Sequence, residues 1–293
     1  MPLVVAGPTS SDLARNLASE LEAELVPVES KRFPDGESYV RFERDLRGEE
    51  VIIVQSSFPD QNRSLIELFL MLDSAKNFGA ERAVAVVPYF AYARQDKRFR
   101  AGEAISVETI VKLIEASGAD AFLTVDVHKP EIMKLFRIPA LNSTAMPLIG
   151  KHLATLDLKK PHVVAPDEGA ISLAESVAEV LKADYSFFRK HRDKASGVPT
   201  TELREIGIRD RDAVIVDDII STGGTVINVV KMLKEEGVKE VYVACTHPLL
   251  LGEAKARILS AGVKKILGTD SVASDVSEVS IAPVLAESLR KLL

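Results

Sequence analysis

Tryptophan is absent from this chain and cysteine occurs once, as Cys245. One thiol leaves no intrachain disulfide and no zinc cluster built on thiolates. No uninterrupted apolar run approaches the ~18 residues that a membrane span requires, so no membrane association is expected. The opening residues, MPLVVAGPTSSDLARN, carry no basic stretch ahead of an apolar one and reach an acid at Asp12, unlike a secretory leader. The cytoplasm is the expected compartment. Asparagine and glutamine are scarce, which suits a protein built for heat. Positive charge is also in deficit. The 37 Lys and Arg against 43 Asp and Glu leave a formal net charge of -6, which argues against a broad nucleic-acid surface but leaves room for a local basic pocket.

What is present is a soluble globular pattern: 293 residues, 46% hydrophobic and 27% charged, enough for one or two domains. Short β-rich apolar runs alternate with helical spacing. Strands are expected at 3–6, 51–55, 83–88, 121–125, 162–165, 213–216, 241–245 and 265–268. Helices are expected at 11–22, 63–78, 106–117, 146–156, 170–181, 225–236 and 252–261. This alternation predicts an α/β fold of βαβ units with mainly parallel sheets. The segment VPVESKRFPDGESYVRF departs from it, because two extended runs flank Pro34-Asp35-Gly36 and predict a hairpin or flap. The order of motifs also repeats. The strand before the YARQD loop in one half matches the strand before DDIISTGG in the other. The two strands that follow, ending in DVHKP and ACTHP, match likewise. Two similar lobes are expected, 1–143 and 144–293.

The sharpest signal is VIVDDIISTGGTVINVVKML, from Val214 to Leu233. An apolar strand runs into Asp217 and Asp218. Val226, Val229, Val230 and Leu233 then recur at helical spacing. The loop between lies at the carboxyl end of a strand and the start of a helix, where open α/β sheets bind ligands. Unpaired amides at a helix start face an incoming anion. Gly223 and Gly224 allow close approach, and Ser221, Thr222 and Thr225 add hydroxyl donors. Two carboxylates facing a phosphate would repel it, so they suit the vicinal hydroxyls of a sugar with Mg²⁺ nearby. The expected ligand is a sugar phosphate. Neither G-x-G-x-x-G nor G-x-x-x-x-G-K-[ST] occurs.

The stretch resembles the phosphoribosyl-diphosphate motif of type I phosphoribosyltransferase folds. With RFPDGE, PYFAYARQDKRFRAGEAIS, GADAFLTVDVHKPEI and VVAPDEGA in the same order, nearly the whole chain resembles the ribose-phosphate diphosphokinase family. The resemblance implies two phosphoribosyltransferase-like lobes, with ATP on the first and ribose 5-phosphate on the second. It implies diphosphoryl transfer from ATP to ribose 5-phosphate, with Mg²⁺ as cofactor, in a homodimer or higher homo-oligomer.

The remaining motifs are weaker alone. Arg94-Gln95-Asp96-Lys97-Arg98 suits a polyphosphate and an adenine, or a solvated basic face. The resemblance implies that Arg94 and Gln95 contact ATP, and that Asp35, Gly36 and Glu37 reach ATP held by a neighbouring subunit. His128 and Asp167 each follow a strand, near a carboxyl edge. The resemblance places them at the Mg-ATP site, directly or through water, with Asp126 ranked lower. SFFRKHRDKASG, Ser186 to Gly197, reads as a charged loop, and Lys190 and Arg192 would share one face of an extended segment. Lys190-His191-Arg192 is similar to the family's catalytic Lys-x-Arg, which gives Arg192 a place at both the catalytic and the sugar-phosphate site. His191 and Ser221 depart from the bacterial pattern, and with the short length they resemble archaeal members. A nucleobase phosphoribosyltransferase would share the Asp217 motif but not the first lobe. A regulatory subunit would lack the Lys-x-Arg pair or the metal-site residues.

Overall fold

Each stretch of the chain that is apolar on both sides, such as VIIV or AVIV, became a central parallel strand, because only a strand covered on both faces buries such a run. A computed structural model describes residues 2–192, 199–203 and 207–293, with the side chains of 189–206 outside the described set. The first half contains β1 Leu3–Ala6, α1 Ser11–Glu20, β2 Glu24–Arg32, β3 Ser38–Phe42, β4 Glu50–Val54, α2 Gln61–Asn77, β5 Arg82–Val86, α3 Ser106–Ala116, β6 Ala121–Val125 and β7 Ala140–Ser143. The second contains α4 Met146–Leu153, β8 His162–Ala165, α5 Ile171–Leu181, β9 Asp184–Arg192, β10 Pro199–Leu203, β11 Ala213–Ile220, α6 Gly224–Glu235, β12 Val241–Pro248, α7 Ala254–Ser260, β13 Val263–Thr269, β14 Ser277–Val279 and α8 Ala282–Leu292.

Two seven-stranded sheets result, ordered β3-β2-β1-β4-β5-β6-β7 and β10-β9-β8-β11-β12-β13-β14. The second repeats the first with every index raised by seven. Within each sheet the pairs are parallel except one hairpin, β2–β3 in the first and β9–β10 in the second. The expected repeat is present but one βα unit out of place. The strand before the YARQD loop is β5, and its counterpart is β12. The counterpart of β11, with its aspartates, is β4. The shared Gly-strand-His-Pro pattern misled the alignment, since it recurs in successive βα units.

Contacts divide the chain into unit 1, 1–144 with 270–273 and 280–293, and unit 2, 145–269 with 274–279. The division differs from 1–143 and 144–293 at the C-terminal end, because α8 packs with unit 1. Leu285, Ala286 and Leu289 are buried. Ser288 Oγ lies 2.6 Å from Ser143 Oγ, and Arg290 donates to the Glu20 carbonyl at 2.8 Å. The first unit's core gathers Leu68, Met71, Ile53, Phe122 and Phe136. The second gathers Ile215, Val229, Val230, Leu233 and Ile258. Among the described residues no helix is long and apolar enough to cross a membrane.

The segment expected as a mobile loop from Ser186 is instead strand as far as Arg192. Alternation explains this: Ser186 and Phe188 are buried inside β9, and charge alone does not break a strand. His162, at the start of β8, is fully buried. Its Nε2 lies 2.9 Å from Ser186 Oγ, and its Nδ1 has no hydrogen-bond partner. Burial and then the Arg211 charge lower its pKa from 6.5 to about 4, against a smaller pull from Asp184. The neutral ring is therefore the stable one. Its stabilising effect is complete above pH 6.5 and is lost as pH falls toward 4, with a slope of up to ~1.4 kcal/mol per pH unit. Chemical denaturation at pH 7.5 and pH 5 should show a smaller drop for His162→Gln than for the unsubstituted chain. Equal drops would mean that His162 does not titrate on unfolding.

Candidate active site

In both sheets the strand order reverses once, between β1 and β4 and between β8 and β11. Ligands bind above the carboxyl ends of strands at such a switch point. In unit 2, Asp167 follows β8, and Asp217 and Asp218 lie on β11, whose extended span runs to Ile220. Asp217 is raised well above the usual carboxylate range, first by burial, then by the Asp218 charge, with a further contribution from Asp167. The Asp218 amide donates to Asp217 Oδ1 at 2.9 Å, and the Ile219 amide donates to Asp218 Oδ1 at 2.8 Å. These bonds orient the two acids at the edge. Asp167 accepts from the Gly169 amide at 3.0 Å, capping a short 3-10 turn, Glu168–Ala170.

The β11–α6 loop follows. Ser221 holds the chain through its carbonyl, which accepts from the Leu251 amide at 3.0 Å. Gly223 takes φ +76°, and no side chain caps the first turn of α6. A Cβ at Gly223 would lie 2.7 Å from Ile258 Cδ1 on α7, whereas a Cβ at Gly224 would meet nothing within 4 Å. Gly223 is thus demanded by backbone and packing. Gly224 opens on free space at an uncapped helix start. Thr222 and Thr225 are exposed beside it, and Ser221 is half-buried. Helix dipole and bare amides favour an anion at this point.

The corresponding place in unit 1 is filled differently. Gln55 follows Val54 as Asp217 follows Val216, and Ser56 stands where Asp218 would. The start of α2 is capped by a carboxylate, with Asp60 accepting from the Arg63 amide at 3.2 Å. A negative cap there opposes phosphate.

The other expected residues of unit 1 lie in two places. Arg94 and Gln95 follow β5, and His128 follows β6, its neighbour in the sheet. Arg94 and His128 are exposed, and Gln95 donates through Nε2 to the Lys97 carbonyl at 3.1 Å. Sequence reasoning stopped at Arg98 and missed Glu103. Its carboxylate accepts from the Phe99 and Arg100 amides at 2.8 and 3.0 Å, and its carbonyl accepts from Arg98 Nε at 2.9 Å. An acid within a basic run was the available signal. Asp35, Gly36 and Glu37 form the exposed tip of the β2–β3 hairpin. There Gly36 takes φ +102°, and the Glu37 amide donates to Asp35 Oδ1 at 3.2 Å. In the sheet β2 and β5 are separated by β1 and β4, about three strand spacings or ~14 Å. The backbone of Lys190 and Arg192 lies in β9, while their side chains fall outside the described residues. Asp126, ranked lower, is buried at φ +41°. Among the described residues no group of three or more His, Cys, Asp or Glu is arranged to hold a metal.

Residues 3–118 match the family model for the N-terminal domain of ribose phosphate pyrophosphokinase, and 132–278 match that of the phosphoribosyl transferase domain. The chain is 40% identical over 288 residues to the ribose-phosphate pyrophosphokinase of Methanothermobacter thermautotrophicus, covering 98% of this chain and 100% of that one. It is 40% identical over 291 residues to that of Methanopyrus kandleri, covering 99% of each. The crystal structure of phosphoribosylpyrophosphate synthetase from Mycobacterium smegmatis matches with a TM-score of 0.87 and 30% identity, covering 100% of this chain and 99% of that one.

The two loop glycines should separate stability from binding. Gly223→Ala should lower stability by about 1–3 kcal/mol, through a left-handed residue with a Cβ and a clash on α7. Gly224→Ala should keep the unfolding midpoint while weakening sugar-phosphate binding, because its methyl enters the cradle. Thermal denaturation beside titration calorimetry checks both. A stable Gly223→Ala, or unchanged binding in Gly224→Ala, contradicts the assignment.

Proposed function

The chain belongs to the ribose-phosphate pyrophosphokinase family, and from that premise we propose that it transfers the β,γ-diphosphoryl group of Mg-ATP to the 1-hydroxyl of ribose 5-phosphate. The products are 5-phosphoribosyl 1-diphosphate and AMP, and the compartment is the cytoplasm. The observation that carries this reading is the unit 2 switch point: an uncapped helix start, open space over Gly224 and a crowded acid pair, side by side.

The 5-phosphate is assigned to the backbone and hydroxyls of Ser221, Thr222, Gly223, Gly224 and Thr225, with Arg192. The ribose hydroxyls are assigned to Asp217 and Asp218. Hydroxyls that donate to these carboxylates offset the burial and the mutual repulsion that raise Asp217. The 1-hydroxyl oxygen then attacks the β-phosphorus. A new O–P bond forms, the bond between the α-phosphate oxygen and the β-phosphorus breaks, AMP departs, and the hydroxyl proton is released to water. Such transfers depend on alignment and on charge stabilisation more than on covalent help from the protein. Lys190 and Arg192 are assigned the charge that develops around the β-phosphorus.

ATP is assigned to Arg94 and Gln95, completed by Asp35, Gly36 and Glu37 of a neighbouring subunit. The exposed Asp35 and Glu37 at the hairpin tip support an arm that serves another copy. Mg²⁺ suits the acid pair at the β11 edge, since a cation offsets the repulsion between Asp217 and Asp218 that, after burial, raises Asp217. Its protein contacts are assigned to His128 and Asp167, directly or through water. When bound, it supplies charge neutralisation along the phosphate chain.

AMP release from ATP, strictly dependent on ribose 5-phosphate, tests the activity, and its absence would refute it. In that assay Asp217→Ala should raise the ribose 5-phosphate requirement by one to two decades, about 1.5–3 kcal/mol for a charged hydrogen-bond partner. Lys190→Ala and Arg192→Ala should lower kcat by about two decades with little change in binding of a non-hydrolysable ATP analogue. Near-normal kcat in both would move the catalytic cations elsewhere. Sedimentation under assay conditions should find a dimer or larger, and a fully active monomer would contradict the shared ATP site.

A further inference from the structure

Unit 1 contains a buried polar brace that none of these assignments uses. Its centre is Glu67 on α2, whose side chain is 2% exposed. Glu67 Oε1 accepts from Arg63 Nε at 2.8 Å and from Ser30 Oγ at 3.1 Å. Its Oε2 accepts from Gln55 Nε2 at 3.3 Å. Gln55 is itself buried. It donates to the Ser64 carbonyl at 3.3 Å, and its Oε1 accepts from the Thr9 amide and hydroxyl at 3.2 and 3.0 Å. Gly7 makes room for it, since a Cβ there would lie 2.4 Å from Gln55 Oε1.

A buried ionised acid is a poor means of gaining stability, because well-packed apolar groups often do as well. Its partners indicate what it holds. Ser30 lies on the part of β2, 28–32, that pairs with β3 and not with β1. That part is the arm that ends in Asp35, Gly36 and Glu37. The Ser30–Glu67 bond ties the arm to the body five residues before Asp35. On the other side, Ser56 follows Gln55 and its Oγ accepts from the Tyr89 amide at 3.3 Å, while the Ser57 amide donates to the Tyr89 carbonyl at 2.9 Å. Tyr89 begins the loop that leads to Arg94 and Gln95. One carboxylate thus links the bases of both segments assigned to the nucleotide, to the second through Gln55, which stands where unit 2 has Asp217.

We infer that Glu67 is a positioning residue for ATP. Through Ser30 it sets the arm lent to a neighbouring subunit, and through Gln55 and Ser56 it sets the loop that the subunit keeps. This inference rests on the proposed function and adds residues that touch no substrate. Ser30→Ala should raise the KM for ATP about fivefold and Glu67→Gln about tenfold, on the scale of one neutral and one charged hydrogen bond. The KM for ribose 5-phosphate should stay within about twofold, and the Ser30→Ala unfolding midpoint should fall by only a few degrees, on the scale of one lost neutral hydrogen bond. Ser30→Thr should restore the ATP value. Assayed at ATP well below the KM, co-expressed Ser30→Ala and Arg94→Ala chains should be more active together than either alone, since a mixed pair has one site with both an intact arm and an intact loop. An ATP KM unchanged in both Ser30→Ala and Glu67→Gln would overturn the inference. So would equal rises for both substrates, or mixing that restores nothing. AMP release by the unsubstituted enzyme, measured in parallel, tests the underlying activity separately.

Discussion

The candidate sugar-phosphate site depends on one backbone conformation. Gly223 must turn left-handed, at φ +76°, between a strand that ends in carboxylates and a helix that begins without a cap. Ile258 closes the space behind it, so the turn cannot relax toward α7. The turn aims the first amides of α6 at the open side of Gly224. It also brings the loop hydroxyls beside Asp217 and Asp218 at the strand end. Burial, the Asp218 charge and a third acid, Asp167, raise Asp217 well above the usual carboxylate range there.

The same topology occurs twice in the chain with opposite outcomes. In unit 2 the switch point stays open. In unit 1 it is closed from within: Gln55 bonds to Thr9 and Glu67, and Asp60 caps α2 with a negative charge. The repeated topology offers two equivalent edges, and a few side chains decide which edge accepts an anion. The closed edge is cross-linked by hydrogen bonds among Thr9, Ser30, Gln55 and Glu67. Such an edge suits a scaffold that orients loops, while the open edge suits direct contact.

Much of this was legible in the residues. Parallel strands covered on both faces read as short apolar runs, and β1, β6 and β8 begin and end where the pattern ends. The β2–β3 hairpin followed from Pro34-Asp35-Gly36. The Asp217–Thr225 loop was readable because acids, glycines and hydroxyls rarely crowd together without a ligand. Other parts were hidden for physical reasons. β11 runs four residues past the expected end, because ladder bonding to β12 continues through Asp217 to Ile220 regardless of side-chain polarity. The charged run after Ser186 conceals a strand in which Ser186 and Phe188 are the buried residues among the described side chains. Glu67 resembles a surface acid paired with Arg63 four residues earlier, yet it shares a face with Ser64, Leu68 and Met71, and that face is buried. Helix α8 was not among the expected helices, and its packing with unit 1 is a tertiary fact that no local pattern carries.

The central claim is that one of the two equivalent edges binds the sugar phosphate and the other does not. Titration calorimetry of ribose 5-phosphate into the full-length protein measures this directly. The account predicts one site per chain, lost in Asp217→Ala and retained in Gln55→Ala. Two sites per chain, or a single site that survives Asp217→Ala and disappears in Gln55→Ala, would contradict it.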